Sequence, residues 1–205
     1  MPIASRAKVL VIWCVVICAL ITPVAIAATS PLQAWRDAAY ITGGMAGVVA
    51  LSLLAAQPLL AAGYLPGLHK RAAQRLHLWL GGALIICVAV HIGGLYLSSP
   101  MVVLDALLLT SPTPFSVYGV IATVAVALTG LLVQFRRLLR LRPTIWRILH
   151  NLLALAVVGA TVVHAVMIDG AMGDWSKWLI SALATCGALF TVVHLRLIKP
   201  GRRAM

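Results

Sequence analysis

Four histidines share one layout. His77 and His91 lie in the apolar stretch Leu76 to Leu97, His150 and His164 in the stretch Ile148 to Ile168, and in each stretch thirteen residues separate the two. On an α-helix such a step turns the chain about 1400°, roughly 40° short of four full turns, and climbs about 21 Å. Both histidines of a stretch therefore share one helix face. Because the hydrocarbon core of a membrane is about 30 Å thick, that climb sets one histidine in each leaflet, just inside the interface. Two such helices side by side present two facing pairs of imidazoles.

A facing imidazole pair is what a flat iron porphyrin requires: one ring nitrogen for each axial position, so that two helices clamp the macrocycle. Two stacked clamps make a path for electrons. The competing account has four ordinary histidines hydrogen-bonded in a bundle or lining a polar cavity. Ionisable side chains inside a membrane are rare and functional by default, and the doubled spacing favours the clamps. Small residues flank the four positions: Gly81 and Ala154 one turn after His77 and His150, Cys87 and Ala160 one turn before His91 and His164. That leaves room for a ring, although small residues also occur wherever membrane helices pack closely.

The rest of the chain has to hold these helices in a bilayer. Of its 205 residues 62% are hydrophobic and only 10% charged, far outside the range of a soluble domain. Uncharged runs at Val9 to Ala28, Ala38 to about Tyr64, Leu76 to Leu97, Pro114 to Phe135, Ile148 to Ile168 and Trp178 to Leu195 each approach the roughly 20 residues of a span. The expected fold is all-α: a polytopic six-helix membrane bundle that binds haem, with no soluble domain.

The net charge of +12 does not imply nucleic acid, because the basic residues fall in short segments between alternate spans. Arg6 and Lys8, Lys70, Arg71 and Arg75, the run Arg136, Arg137, Arg140, Arg142 and Arg147, and finally Arg196, Lys199, Arg202 and Arg203 all fall on one side. Only Arg36 and Lys177 fall on the other, with the four acids Asp37, Asp105, Asp169 and Asp174. This distribution predicts cytoplasmic N- and C-termini and a multi-pass protein of the inner, plasma membrane. Cys14, Cys18, Cys87 and Cys186 sit within spans in no metal-type spacing, and are expected as buried apolar filler.

Taken in order, the first thirty residues allow two readings. Arg6 and Lys8 precede an apolar run ending in Ala25-Ile26-Ala27, which resembles a signal-peptidase site; the length of the run favours an uncleaved first helix, with Pro23 kinking it or marking its outer end. The second span should break at Pro66-Gly67, before the loop residue His69. Met101 to Leu109, bounded by Pro100 and Pro112, is too short to cross and reads as an interfacial helix. The fourth span carries no histidine and serves as scaffold. Five arginines within Arg136 to Arg147 fit anionic lipid, or a docking patch for an acidic electron donor. Arg75 and Arg147 stand beside His77 and His150, where they either pair with haem propionates or flank the spans as topology signals. Trp79 and Trp146 read as belt aromatics, and His194 as an interfacial histidine.

At Arg75-Leu76-His77 through His91, and at Trp146-Arg147-Ile148-Leu149-His150 through His164, the chain resembles the ferric reductase-like transmembrane domain. That domain is shared by yeast ferric reductases, NADPH oxidases and the bacterial haem subunit that serves a periplasmic methionine sulfoxide reductase. The resemblance implies two b-type haems stacked across the bilayer, His77 with His150 holding the inner one and His91 with His164 the outer. It divides the chain into residues 1–37, a first transmembrane helix or signal-like segment with its outer loop; 38–200, the ferric reductase-like domain; and 201–205, a basic cytoplasmic tail. Many relatives continue into a flavin and nicotinamide domain, whereas this chain stops after the last helix. Flavin and NAD(P)H are therefore expected only through a separate partner.

The resulting expectation is an oxidoreductase component that passes electrons from a cytoplasmic flavin reductase or quinol to an outer acceptor, ferric iron or a periplasmic reductase partner. Membrane lipid is the other partner. An accessory haem-containing anchor for a partner enzyme, and a transporter that uses histidines as proton relays, are the alternatives from other classes.

Overall fold

The computed structural model describes residues 3–194, and the basic residues from Arg196 onward, with the tail 201–205, lie outside them. Among the described residues there are helices and no strand. In chain order they are α1 (Ile3–Ala28), α2 (Ala38–Ala62), α3 (Lys70–Ser98), α4 (Pro100–Leu107), α5 (Pro114–Gln134), α6 (Pro143–Met167) and α7 (Asp174–Val193). All but α4 are long and apolar enough to cross a membrane, which makes six spans.

α1, α3, α6 and α7 begin before their uncharged stretches and α2 ends before its own, because a helix ends where its backbone is capped and not where apolarity ends. α3 starts at Lys70 and α6 at Pro143, since Lys, Arg and Gln are good helix formers and proline in a first turn has no useful N–H to lose. α2 stops before the expected Pro66-Gly67 break: Gly63 takes φ +69° and returns its N–H to the carbonyls of Leu59 and Leu60, a left-handed cap that a side chain would strain. The stretch expected to be too short to cross forms α4, an eight-residue helix that opens on Pro100.

The bundle consists of two antiparallel pairs and a brace. α2 packs along α3 and α5 along α6, while α7 lies against both α2 and α6, and α1 against α2 and α7. The two histidine helices, α3 and α6, hardly touch each other. In the first pair the backbones meet directly: a Cβ on Gly94 would lie 2.7 Å from the Ala39 carbonyl oxygen and 2.8 Å from Gly43 Cα. Lipid is as apolar as a leucine, so membrane helices associate through such close small-residue packing and through hydrogen bonds. α7 grips α2 at Pro58, whose carbonyl accepts the Thr191 hydroxyl at 3.2 Å. Trp13 of α1 donates its indole N–H to the Pro66 carbonyl at 3.0 Å.

Two polar ties close the end away from the arginine-rich connection. Asp37 caps α2 by accepting the Tyr40 N–H at 2.8 Å, and its other oxygen accepts the Ser98 hydroxyl at the end of α3. The Ser98 contact first, and then the Tyr40 N–H, hold its carboxyl below the usual carboxylate range. Lys177 is only 6% exposed; its ammonium donates to the Ile168 carbonyl at 2.9 Å and pairs with Asp174 at 3.1 Å. It thus satisfies a carbonyl at the end of α6, as cations near helix C-termini do.

The cysteines correct an expectation. Cys14, Cys18 and Cys186 are exposed on the bundle surface and Cys87 is half-buried, because a surface that faces lipid asks only for apolarity, so an apolar side chain in a span need not be a core side chain.

The Gly94 contact can be tested against its neighbour. Gly94→Ala is expected to force α2 and α3 apart and lower stability by about 1–3 kcal/mol. Gly93→Ala, where an added Cβ meets nothing within 4 Å, should be neutral or slightly stabilising. Thermal or denaturant unfolding in detergent separates the two, and equal losses would refute the contact.

Candidate functional site

The fold brings the four histidines together as two couples, each joining α3 to α6. His77 faces His150 with ring centroids 6.2 Å apart and planes at 75°; His91 faces His164 at 6.4 Å and 79°. All four rings are half-buried.

Each histidine helix leans on its own partner helix. The Nδ1 of His91 lies 2.8 Å from the Gly43 carbonyl oxygen on α2, and the Nδ1 of His164 lies 2.8 Å from the Phe115 carbonyl oxygen on α5. A carbonyl has a second lone pair beside the one used within its helix, so it can accept the imidazole N–H. That contact fixes the tautomer, with the proton on Nδ1 and the Nε2 lone pair free to bind.

The approach needs glycine at one position. In a helix the side chain four residues on stands over the carbonyl of residue i, and here those residues are Gly47 and Gly119. A Cβ on Gly47 would lie 2.8 Å from His91 Nδ1, and one on Gly119 would lie 2.9 Å from both Nδ1 and Cε1 of His164. The two halves of the bundle therefore use one device: a carbonyl for the ring to hold, and a glycine one turn later to let it in.

The other couple is supported differently. His77 Nδ1 lies 3.3 Å from the Gln57 carbonyl oxygen on α2, a longer contact. His150 Nδ1 is buried without a hydrogen-bond partner, and its ring instead stacks on Trp146, with centroids 5.1 Å apart and planes at 6°.

The spacing of the couples leaves room for an ion between the rings. With a metal–imidazole bond of about 2.0 Å and a ring radius of about 1.2 Å, two imidazoles on opposite sides of one ion have centroids about 6.4 Å apart. The observed 6.2 and 6.4 Å match. Two donors do not make a closed protein site, and among the described residues no cluster of three or more His, Cys, Asp or Glu exists. An ion held by a couple would need its remaining positions filled from elsewhere. α3 and α6 make few direct contacts with each other.

The remaining candidates fall at the edges. Arg75 and Arg147 are exposed at the arginine-rich end, and Arg147 Nε donates to the Pro143 carbonyl at 3.1 Å. His69 is the exposed N-cap residue of α3. His194 belongs to neither couple: its Nδ1 and the Tyr64 hydroxyl share a hydrogen bond, with the two rings stacked 5.5 Å apart. Desolvation raises the Tyr64 phenol above its usual value. Trp79 is exposed as a belt residue would be, whereas Trp146 is half-buried against His150. Gly43, Gly47, Gln57, Phe115, Gly119 and Trp146 were not among the sequence candidates for the site. The one available signal was Gly43-x-x-x-Gly47, a small-residue packing motif.

Comparison with known proteins gives one match. Residues 43–161 match a family model described as ferric reductase like transmembrane component. The matched segment takes in His77, His91 and His150 and ends just before His164. No curated protein and no solved structure matches the chain.

Gly47→Val is expected to push the His91 ring off the Gly43 carbonyl and leave His77 in place. In 15N spectra of imidazole-labelled protein, the His91 signals should move and those of His77 should not. Unchanged His91 signals would remove the glycine from the site.

Proposed function

Because the chain belongs to the ferric reductase like transmembrane component family, we propose that it conducts electrons across the membrane through two b-type haems. His77 and His150 hold the inner haem and His91 and His164 the outer. The arginine-rich end, with both termini, faces the cytoplasm. The observation that carries the reading is the pair of facing imidazole couples at 6.2 and 6.4 Å, a separation suited to an ion between them.

When bound, each haem supplies one-electron iron chemistry. The protein's part is positional. The Gly43, Gln57 and Phe115 carbonyls keep the protons of His91, His77 and His164 on Nδ1, and so keep Nε2 available as a donor. With His77 and His150, or His91 and His164, as its ligands, a haem iron would have no open site and would serve outer-sphere electron transfer rather than binding of dioxygen or substrate. The apolar faces of α3 and α6 keep water from the centres. Arg75 and Arg147, next to the inner couple in sequence, offer guanidinium groups to the propionates. Electrons enter from a cytoplasmic flavin reductase or a quinol and leave to an outer acceptor, either ferric iron or a periplasmic reductase.

His91→Ala and His164→Ala are each expected to lose the outer haem and spare the inner, halving the pyridine haemochrome yield, and His77→Ala to do the reverse. Wild-type protein without a Soret band would overturn the haem reading and favour a proton-coupled transporter.

Conduction has its own test. In proteoliposomes, protein reduced on one face by a flavin reductase with NAD(P)H should be reoxidised by ferric chelate enclosed on the other. Haems that bind but never discharge across the bilayer would make the chain a membrane anchor instead.

A further inference from the structure

Three of the four imidazoles are tied to a main-chain carbonyl and the fourth is not. On α2 the tying carbonyls belong to Gly43 and Gln57, a spacing equal to that between His91 and His77 on α3. The same step along α5 leads from Phe115 to Thr129, whose carbonyl would be the counterpart for His150. His150 Nδ1 makes no such bond, and the Thr129 hydroxyl turns back to Ala125 at 2.7 Å. At this level an apolar groove of about 670 Å³ opens along α5 and α6, lined by Leu128, Leu132, Leu149 and Leu153 among others.

A ligand imidazole needs two constraints: its nitrogen must point at the ion, and its plane must be fixed about that direction. The carbonyl tie supplies the second constraint for the other rings. For His150 the indole of Trp146 is placed to do so, lying nearly parallel to the ring at 6°. Trp146 is itself held, since the Arg136 guanidinium lies 4.4 Å from its ring centroid, within the range of a cation–π contact.

We propose that Trp146 is a positioning residue for His150: stacking on the indole sets the plane of that axial ring, and Arg136 locks the indole from the connection between α5 and α6. The inference rests on the two-haem reading. It also gives the arginine-rich connection a mechanical link to the inner centre that the outer centre lacks.

The test uses the full chain with its haems bound. Crossed imidazole planes leave two iron d orbitals nearly equal in energy, so both ferric centres should give strongly anisotropic low-spin resonance signals. The signal missing in His77→Ala is the inner one. Trp146→Leu is expected to shift or broaden that signal and to raise the inner haem's dissociation constant about five- to tenfold, in line with the loss of an aromatic pair. Trp146→Phe should restore most of both. Arg136→Gln should move the inner signal part of the way, and the outer signal should stay fixed throughout as the internal control for folding.

An inner signal and affinity unchanged in Trp146→Leu, in a protein that still binds two haems, would overturn the proposal and leave the haem reading intact. Wild type without haem would overturn both. If Trp146→Leu loses both haems, Arg136→Gln decides: a moved inner signal supports the stack, and an unmoved one refutes it.

Discussion

An imidazole N–H held by a backbone carbonyl within a membrane-spanning bundle is the contact on which the arrangement depends. The carbonyl is already engaged within its own helix, so the imidazole adds a second hydrogen bond without taking one away. In hydrocarbon no water competes for either group, and an unheld ring nitrogen would carry a desolvation cost. The contact is therefore stabilising for the fold and directional for the ring. It works only if the backbone comes close, which the helix permits where glycine stands one turn beyond the carbonyl, as Gly47 and Gly119 do.

From that contact follows the division of labour among the helices. α3 and α6 present the imidazoles yet hardly meet, so neither can be positioned by the other. Each is fixed from behind, α3 by α2 and α6 by α5, and the two halves are referenced to each other through α7, which touches α2 and α6. The helices without paired histidines set the separation of the couples. Scaffold is too weak a word for α5, since its Phe115 carbonyl and Gly119 shape the seat of His164.

The sequence made the number of spans and the four histidines legible because both are written in side chains: apolar runs of membrane length, and a repeated step that returns to one helix face. The supporting residues were not legible in the same way. A carbonyl donor site has no sequence identity, so nothing marks Gly43, Gln57 or Phe115 until α2 and α5 are paired in register with α3 and α6. Gly47 and Gly119 look like ordinary small residues of a membrane helix. Trp146 sits where a belt aromatic belongs, and only its stacking on His150 shows another role. The cysteines misled for a related reason: within a span, apolarity does not tell the lipid-facing side from the core.

The doubled layout is thus more than two histidines on each of two helices. On α2 the carbonyls at 43 and 57 repeat the histidine step, so one helix register serves both couples. On α5 the register serves only the couple at Phe115, and among the described residues His150 Nδ1 has no carbonyl tie. The symmetry is broken at one imidazole of four, the one whose stacking partner is gripped by a basic connection. A couple tied on both sides by main chain can shift only if helices move. A couple whose fourth ring rests on a side-chain stack is held by two side chains, Trp146 and Arg136, in place of main chain.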